Sequence, residues 1–196
     1  MEEKFISLQT FMMQMQLDTA AWEAMRKKLV VRNYKKRELF VAEGKVSKEI
    51  AFIVQGSFRY FMTIDGMEVT TFFSFDNQWA GAYTSFISGK PSQVAIETME
   101  DTEVLILHYN DLQYLYKHHP SAERFGRLMA EYLVGCLEER MYSLLLKTPE
   151  ERYLKTLATN SLYFERVPQH YIASYLGVAP ESLSRIRKRV MRRAVS

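Results

Sequence analysis

The chain of 196 residues contains a single cysteine, Cys136, and only four histidines. One thiol excludes an intrachain disulfide, a zinc finger and a cysteine-ligated iron–sulfur cluster, because each of these needs more than one cysteine. The segment 30–107 contains no histidine at all. A β-barrel enzyme that holds a metal needs several histidines converging in its interior, so the composition disfavours that class of protein. We expect no metal site.

Long hydrophobic runs are also missing. No apolar segment approaches the ~18 residues that a membrane-spanning helix needs, and the acidic N-terminus lacks the pattern of a signal peptide. The sequence therefore predicts a cytoplasmic protein with no membrane segment.

Acidic residues are absent from the C-terminal end, where none follows Glu181. Six arginines and lysines crowd positions 185 to 193, although the net charge of the whole chain is only +3. A positive end on a nearly neutral body is typical of a protein that holds phosphate groups at one place. The alternative for the last arginines is a solvated tail.

The segment 169–188 has the residue pattern of a helix-turn-helix. Gly177 can take the left-handed conformation that ends a helix, and Pro180 suits the first position of a second helix. Apolar residues on both sides of this turn have helical spacing and are expected to face each other: Ile172, Ala173, Leu176, Leu183 and Ile186. The second helix, 180–192, then keeps a polar and basic outer face. The alternative is an ordinary helical hairpin with a solvated charged face.

The N-terminal part predicts two short helices followed by strands. Asp18 or Thr19 is the expected cap of the second helix. From residue 30 to 107, short β-branched and aromatic runs alternate with turn residues, and Asp65-Gly66 is the strongest hairpin signal in the chain. Many short strands with regular turns predict an antiparallel sandwich or barrel, and with the helices an α+β fold.

Residues 120–147 predict one long helix of about 40 Å, at a rise of 1.5 Å per residue. Its apolar residues form a stripe that is too wide for one neighbour: Phe125, Leu128, Met129, Tyr132, Leu133, Cys136, Leu137, Met141, Leu144 and Leu145. We expect part of this stripe on the barrel and part against a second copy of the helix. The alternative is a monomeric core helix, because the heptad order breaks near Glu139-Arg140. Thr148 and Glu151 then form a capping-box pattern.

The order of barrel, long helix and helix-turn-helix resembles the Crp/Fnr (cyclic-AMP receptor protein/Fnr) family of bacterial transcription regulators. The resemblance covers nearly the whole chain, and the segments 50–57 and 65–68 are similar to the family's strand–glycine–hairpin pattern. The link 159–167 and the run 166–169 resemble a branch common in Bacteroidetes.

The resemblance implies three parts and their partners. They are a cyclic-nucleotide-binding-like β-barrel (jelly roll) of residues 1–118, a dimerisation helix of residues 119–147, and a helix-turn-helix DNA-binding domain of residues 148–196. It further implies a homodimer through 120–147 that binds double-stranded DNA, with RNA polymerase as a further partner. Family members add a β-hairpin wing after the recognition helix, whereas this sequence stops at Ser196, so we expect no wing.

Several positions of the helix-turn-helix carry DNA-contacting roles in the family. Glu181 and Arg185 fall on positions that contact base edges, and Gln169 falls on one that contacts phosphate. The candidate DNA-binding residues are therefore Gln169, His170, Glu181, Ser182, Ser184, Arg185, Lys188 and Arg189.

The expected effector pocket departs from the family pattern. Members that bind cyclic AMP carry Gly-Glu-Leu and then Arg-Ser or Arg-Thr, whereas this chain has 81–83 Gly-Ala-Tyr and 92–93 Ser-Gln. A cyclic phosphate buried without an arginine would be poorly compensated. We therefore expect that the chain binds neither cyclic AMP nor a cofactor. Binding of another small, more apolar ligand is the alternative. The candidate pocket residues are Gly81, Ala82, Tyr83, Ser92, Gln93 and Leu137.

Three functions follow from these patterns. The leading one is a homodimeric DNA-binding transcription regulator that is not an enzyme. A ligand sensor that acts mainly through protein partners is the second. A cupin-like metal enzyme is the third, and the missing histidines and nucleophile motif disfavour it.

Overall fold

The computed structural model describes residues 3–195, which form nine helices and eight strands. In chain order these elements are α1 Glu3–Gln14, α2 Thr19–Arg26, β1 Val30–Tyr34, β2 Leu39–Val41, β3 Glu49–Gln55, β4 Ser57–Ile64, β5 Met67–Phe75, β6 Trp79–Ala80, α3 Tyr83–Ser88, β7 Ala95–Thr98, β8 Thr102–His108, α4 Tyr109–His118, α5 Pro120–Leu146, α6 Pro149–Thr159, α7 Leu162–Arg166, α8 Gln169–Leu176 and α9 Pro180–Val195.

The strands form two antiparallel four-stranded sheets, which we call the roll. One sheet has the order β1-β8-β3-β6 and the other has the order β2-β7-β4-β5. The prediction of an α+β fold with antiparallel strands is confirmed, but the prediction of a barrel is wrong, since no ladder joins the two sheets within residues 3–195. One edge of each sheet is protected without closure, because β6 has only two residues and α8 covers the edge of β5.

The hairpin predicted at Asp65-Gly66 joins β4 to β5. Both turn residues have positive φ, 51° for Asp65 and 77° for Gly66, as a two-residue turn of type I′ requires. The turn sets the register in which Ile64 faces Met67. This two-residue signal therefore predicted the pairing of β4 with β5, the two longest strands.

The N-terminal helices pack on the outside of the roll together with α4 and the start of α5. Asp18 caps α2, because the Ala21 N–H donates to its Oδ1 at 2.8 Å. Phe125 on α5 is only 5% exposed and shares a core with Phe52 of β3. The expectation that part of the long helix lies on the strand domain is therefore confirmed.

Three helices lie where the sequence did not predict them, namely α3, α4 and α7. In α4, Leu112 and Leu115 are buried against the neighbouring helices, and this packing outweighs the aromatic, strand-like character of the residues that follow β8. The helix α7 occupies most of the segment 159–167, which we expected to be only a link.

The second half of α5 is largely exposed. Leu137, Leu145 and Leu146 are 61%, 73% and 78% exposed, respectively. The helix ends at Leu146, and α6 begins at Pro149 with the predicted capping box between Thr148 and Glu151. Several large apolar side chains that are exposed along one helix are typical of an interaction site.

Candidate nucleic-acid interface

The helices α8 and α9 form a tight pair around Gly177. Its φ of 67° is left-handed, its N–H donates to carbonyls of the last turn of α8, and the Val178 N–H donates to the Ala173 carbonyl at 3.0 Å. Ile172 on α8 and Leu183 on α9 are both 1% exposed and belong to one core. The packing predicted from the apolar spacing is present.

This pair shares its core with the roll. The buried cluster that contains Ile172 and Leu183 also contains Phe73 and Phe75 of β5. Tyr163 of α7 packs against Phe73 and Phe75 with ring centroids 5.0 and 5.4 Å apart. The helices within 149–195 therefore pack on the sheet β2-β7-β4-β5 and do not form a separate unit with its own core.

The outer face of α9 carries most of the predicted DNA-binding residues. Glu181, Ser184, Arg185 and Lys188 are exposed, and the Arg185 Nη2 donates to the Ser182 Oγ at 3.1 Å. Lys188 has no ion-pair partner among the residues that the structure describes. Hydrogen-bond donors and a carboxylate acceptor thus stand together on one exposed helical face.

Arg189 differs from its neighbours on α9. Its Nε lies 2.6 Å from Glu150 Oε2, and the Arg193 Nη1 lies 2.6 Å from the other oxygen of the same carboxylate. Glu150 belongs to the first turn of α6, where a carboxylate is also favoured by the helix dipole. Arg189 therefore ties α9 to α6 in this arrangement.

The N-terminus of α8 lies beside the turn between β1 and β2. Gln169 and His170 are both exposed at this end, and Pro168 occupies the cap position. A cleft of about 210 Å³ separates the helix from the turn and is lined by Lys36, Arg37, Glu97, Thr98, Met99, Pro168, His170 and Tyr171. His170, one of the predicted DNA-binding residues, thus stands next to basic residues of the roll.

The side chain of Arg59 is buried between the roll and α8. Its side chain is 1% exposed, with the guanidinium 4.2 Å from the Phe61 ring centroid and 3.8 Å from that of Tyr171. Its Nε lies 2.9 Å from Glu97 Oε1, an ion pair without an aligned hydrogen bond, and its Nη2 donates to Glu68. The buried charge is compensated from both sides, as burial requires.

Arg166 makes a second polar connection between α7 and the roll. Its guanidinium pairs with Asp76, with Glu100 Oε1 at 2.6 Å, and with the Gly56 carbonyl at 3.1 Å. Burial alone would raise the pKa of Asp76, but hydrogen bonds from Arg166 and from the Gly56 N–H hold that pKa below its ordinary value.

The interior of the roll next to Gly81 is occupied by the roll's own side chains. The Tyr60 hydroxyl accepts the Gly81 N–H at 3.2 Å and the Ser74 hydroxyl at 2.9 Å. Burial raises the pKa of Tyr60, so the phenol stays neutral. Phe58 is completely buried beside it in the same cluster.

The candidate pocket residues are only partly brought together. Ala82 is buried in the cluster that contains Tyr60, and the Ser92 hydroxyl donates to the Val94 carbonyl at 2.7 Å. Tyr83 packs instead against the other core cluster, which contains Phe52 and Phe125, and Gln93 is exposed. Leu137 belongs to none of the three buried clusters.

Comparison with known proteins identifies the architecture. Residues 31–119 match the family model of the cyclic nucleotide-binding domain. FixK2 from Bradyrhizobium japonicum is similar over 85% of this chain and 86% of its own, with a TM-score of 0.72 and 20% identity. A protein of the Crp/Fnr family from Eubacterium rectale matches over 91% of this chain and 85% of its own, with a TM-score of 0.69 and 17% identity. The chain has the Crp/Fnr fold.

The Crp/Fnr fold also relates the chain to CLP from Xanthomonas campestris, a global regulator that responds to c-di-GMP. That match covers 90% of this chain and 93% of the other, with a TM-score of 0.70 and 19% identity. Among curated protein sequences there is no match. CLP and the Eubacterium rectale protein are both regulators.

Within residues 3–195 no group of three or more histidine, cysteine, aspartate or glutamate side chains is placed to hold a metal ion. None of the helices in that range combines the length and apolar character needed to cross a bilayer.

Sequence reasoning missed the arginines that join the two halves of this Crp/Fnr fold. Arg59 stands in the run Ser-Phe-Arg-Tyr-Phe, where a charge amid aromatic strand residues is a signal of a buried partner. Arg166 offered no such signal, because its partners Asp76 and Glu100 are distant in sequence.

Proposed function

We propose that the protein is a homodimeric DNA-binding transcription regulator, with α8–α9 as a helix-turn-helix and α9 as the recognition helix. The observation that carries this proposal is the exposed face of α9, where Arg185 and Lys188 stand beside Glu181. The opposite face of the same helix is buried against α8 through Leu183 and Ile186. The shared fold supports the proposal, because the structural relatives are regulators. Such a protein works in the cytoplasm, where bacterial DNA lies.

The roles of the residues follow from the chemistry of the major groove. The Arg185 guanidinium suits the O6 and N7 acceptors of guanine, and the Glu181 carboxylate can accept from a cytosine amino group. Gln169 and His170 at the start of α8, with Ser182 and Lys188 on α9, are assigned to phosphates. Arg185 is already extended along the helix through its contact with Ser182.

Arg189 receives a different role from the one expected. Since its guanidinium is engaged by Glu150, we assign it to holding α9 against α6. Ser184, which is exposed on the same face, stays a candidate contact to either base or phosphate.

The exposed half of α5 supplies the dimer surface. Val134, Leu137, Met141 and Leu144 recur at spacings of three and four, which is the seam of a two-stranded coiled coil. A dimer axis along this seam would present two recognition helices to successive major grooves, about 34 Å apart, on a palindromic site.

The filled roll supports regulation without cyclic AMP. A bound cyclic phosphate needs a cation and free N–H groups, but Tyr60 accepts the Gly81 N–H and no arginine stands at 92–93. Because the related CLP responds to c-di-GMP, both nucleotides belong in the test. We expect isothermal titration calorimetry to show no binding of cyclic AMP, and micromolar binding would contradict this part of the proposal.

The decisive experiment is selection of duplexes from a random pool by the full-length protein, followed by a salt titration on the selected sequence. We expect a palindromic consensus and a steep linear fall of log K with log salt, since phosphate neutralisation releases counterions. A protein that acts only through protein partners would select no consensus and show no such slope.

A further inference from the structure

A stripe of arginines runs along α9. Arg185, Arg189 and Arg193 follow one another at a spacing of four residues, which places them on one face of the helix. Phosphate attracts every available cation on such a face, whatever the base sequence of the duplex. A stripe in which all three arginines are available would therefore bind any duplex, and this general attraction would weaken the sequence preference of the helix.

The three arginines have different surroundings. Arg185 donates to the Ser182 hydroxyl of its own helix. Arg189 and Arg193 instead both reach the carboxylate of Glu150, each with a nitrogen 2.6 Å from a different oxygen. One acidic side chain of α6 thus holds two arginines of α9, and the arginine nearest the start of α9 lies outside this group.

Glu150 is held in place to receive both arginines. It lies in the first turn of α6, where the helix dipole favours a carboxylate, and the capping box of Thr148 and Glu151 fixes this end of the helix. The Glu150 side chain is only 20% exposed, whereas those of Arg189 and Arg193 are 54% and 69% exposed. The carboxylate therefore faces the arginines, and the arginines stay within reach of a phosphate that competes for them.

We propose that Glu150 is a specificity-determining residue, which keeps Arg189 and Arg193 from non-specific contact with phosphate and leaves Arg185 available to base edges. The proposal rests on the proposed function. An exposed ion pair is weak by itself, but it must be broken before its arginine can contact a phosphate. One carboxylate that holds two arginines in each subunit imposes this cost on every non-specific encounter.

The cost is unequal for the two kinds of complex. On a random duplex no base contacts form, and phosphate contacts supply essentially all of the affinity. At the recognised site, contacts to base edges fix α9, and the arginines that are paired with α6 are not needed there. Removing the Glu150 carboxylate should therefore strengthen binding to random DNA more than binding to the recognised site.

The experiment measures binding of the full-length wild type and of Glu150→Gln to the selected duplex and to a random duplex of equal length, over a range of salt concentrations. Glu165→Gln is the matched control, because Glu165 is an exposed glutamate of α7 with no ion-pair partner among the described residues. The triple variant Glu150→Gln/Arg189→Gln/Arg193→Gln tests whether the two arginines carry the effect. Thermal melting checks that each variant folds like the wild type.

On the random duplex we expect Glu150→Gln to bind about 10-fold more tightly near 0.15 M salt. Its salt slope should steepen by up to about 3.6, because four arginines of the dimer become available to phosphate at ~0.9 each. On the selected duplex the affinity should change by less than about threefold, so the ratio of specific to non-specific affinity should fall. The triple variant should lose the gain on the random duplex, and Glu165→Gln should match the wild type on both duplexes.

Three results would overturn the inference while leaving the proposed function intact. The first is an unchanged affinity and salt slope of Glu150→Gln on the random duplex. The second is an equal gain on both duplexes, which would show that Glu150 limits affinity but not specificity. The third is a gain that the triple variant retains, which would assign the effect to lost repulsion between Glu150 and phosphate. A wild type that selects no consensus would instead overturn the proposed function, and this inference with it.

Discussion

The buried polar groups of the roll and the exposed polar groups of α9 are used in opposite ways. Inside the roll, the Tyr60 hydroxyl accepts the Gly81 N–H, and between the roll and α8 the buried Arg59 is paired with Glu97. On α9, Lys188 is exposed and unpaired among the described residues, and Arg185 contacts only a serine of its own helix.

The difference separates stability from binding. A buried group that has found its partner stabilises the fold, and removing one member leaves the other unsatisfied at a high cost. An exposed, unpaired cation contributes little to the fold and stays available to a phosphate or a base. Substitutions in the first region should therefore lower stability, and substitutions in the second should lower DNA affinity.

The largest effect is expected for Arg59→Ala. The change leaves Glu97 buried without its partner and removes the cation under the Tyr171 ring, so the free energy of unfolding should fall by about 3–5 kcal/mol. Urea denaturation measures this loss. Arg124→Ala, at an exposed arginine of α5, is the control and should change stability by less than ~0.5 kcal/mol. Equal stabilities of the two variants would contradict the importance of the buried pair.

Leu137→Glu should separate the subunits. Two copies of this leucine would lose their burial and two carboxylates would face each other, so dimerisation should weaken by about 3 kcal/mol or more. Sedimentation equilibrium measures the dissociation constant. Met67→Glu is the control, because Met67 is also exposed, at 68%, but stands at the hairpin tip. If both variants dimerise like wild type, the assignment of the dimer interface to this surface of α5 is wrong.

Arg185→Ala should leave stability unchanged but cost about 1–3 kcal/mol in binding to the selected site. Preference for a guanine at one position of each half-site should relax, because the bidentate contact is lost. Fluorescence anisotropy with the selected duplex and with single-base variants measures both effects. Equal binding of wild type and variant to all of these duplexes would remove Arg185 from the base-reading role.

Tyr60→Phe should cost about 1–2 kcal/mol of stability without creating a cyclic AMP site. The change removes the oxygen that accepts the Gly81 N–H, and a buried donor without a partner is destabilising. Chemical denaturation and calorimetry with cyclic AMP check the two parts. Gain of tight cyclic AMP binding would show that the tyrosine alone had closed a functional pocket.

The smallest effect concerns pH. Since the folded-state pKa of Asp76 is lowered, its contribution to stability is present above the unfolded value of about 3.9 and is lost as the pH falls through the folded value. Asp76→Asn should therefore flatten the stability profile below about pH 4. Acid titrations followed by circular dichroism compare the two proteins, and identical profiles would mean that the Arg166 connection does not depend on this carboxylate.

The expected effector pocket shows where prediction from the sequence stopped. The motifs at 81–83 and 92–93 gave no sign that the Tyr60 hydroxyl accepts the Gly81 N–H. Tyr60 lies on β4, whereas Gly81 follows β6 of the other sheet. Their hydrogen bond therefore depends on how the two sheets pack against each other. Likewise, the basic outer face of α9 was visible in the sequence, whereas the engagement of Arg189 by Glu150 was not.

By itself, the sequence determined the features that depend on residues close together in the chain. The hairpin at Asp65-Gly66, the turn at Gly177 and the capping box at Thr148 each form from side chains and dihedral preferences within a few positions. Only the tertiary structure decided that the two sheets remain open. It also decided that Arg166 reaches Asp76, 90 residues away, and that the turn carrying Arg37 faces α8. Such contacts depend on how whole elements pack, and no local pattern records which distant surface a side chain will meet.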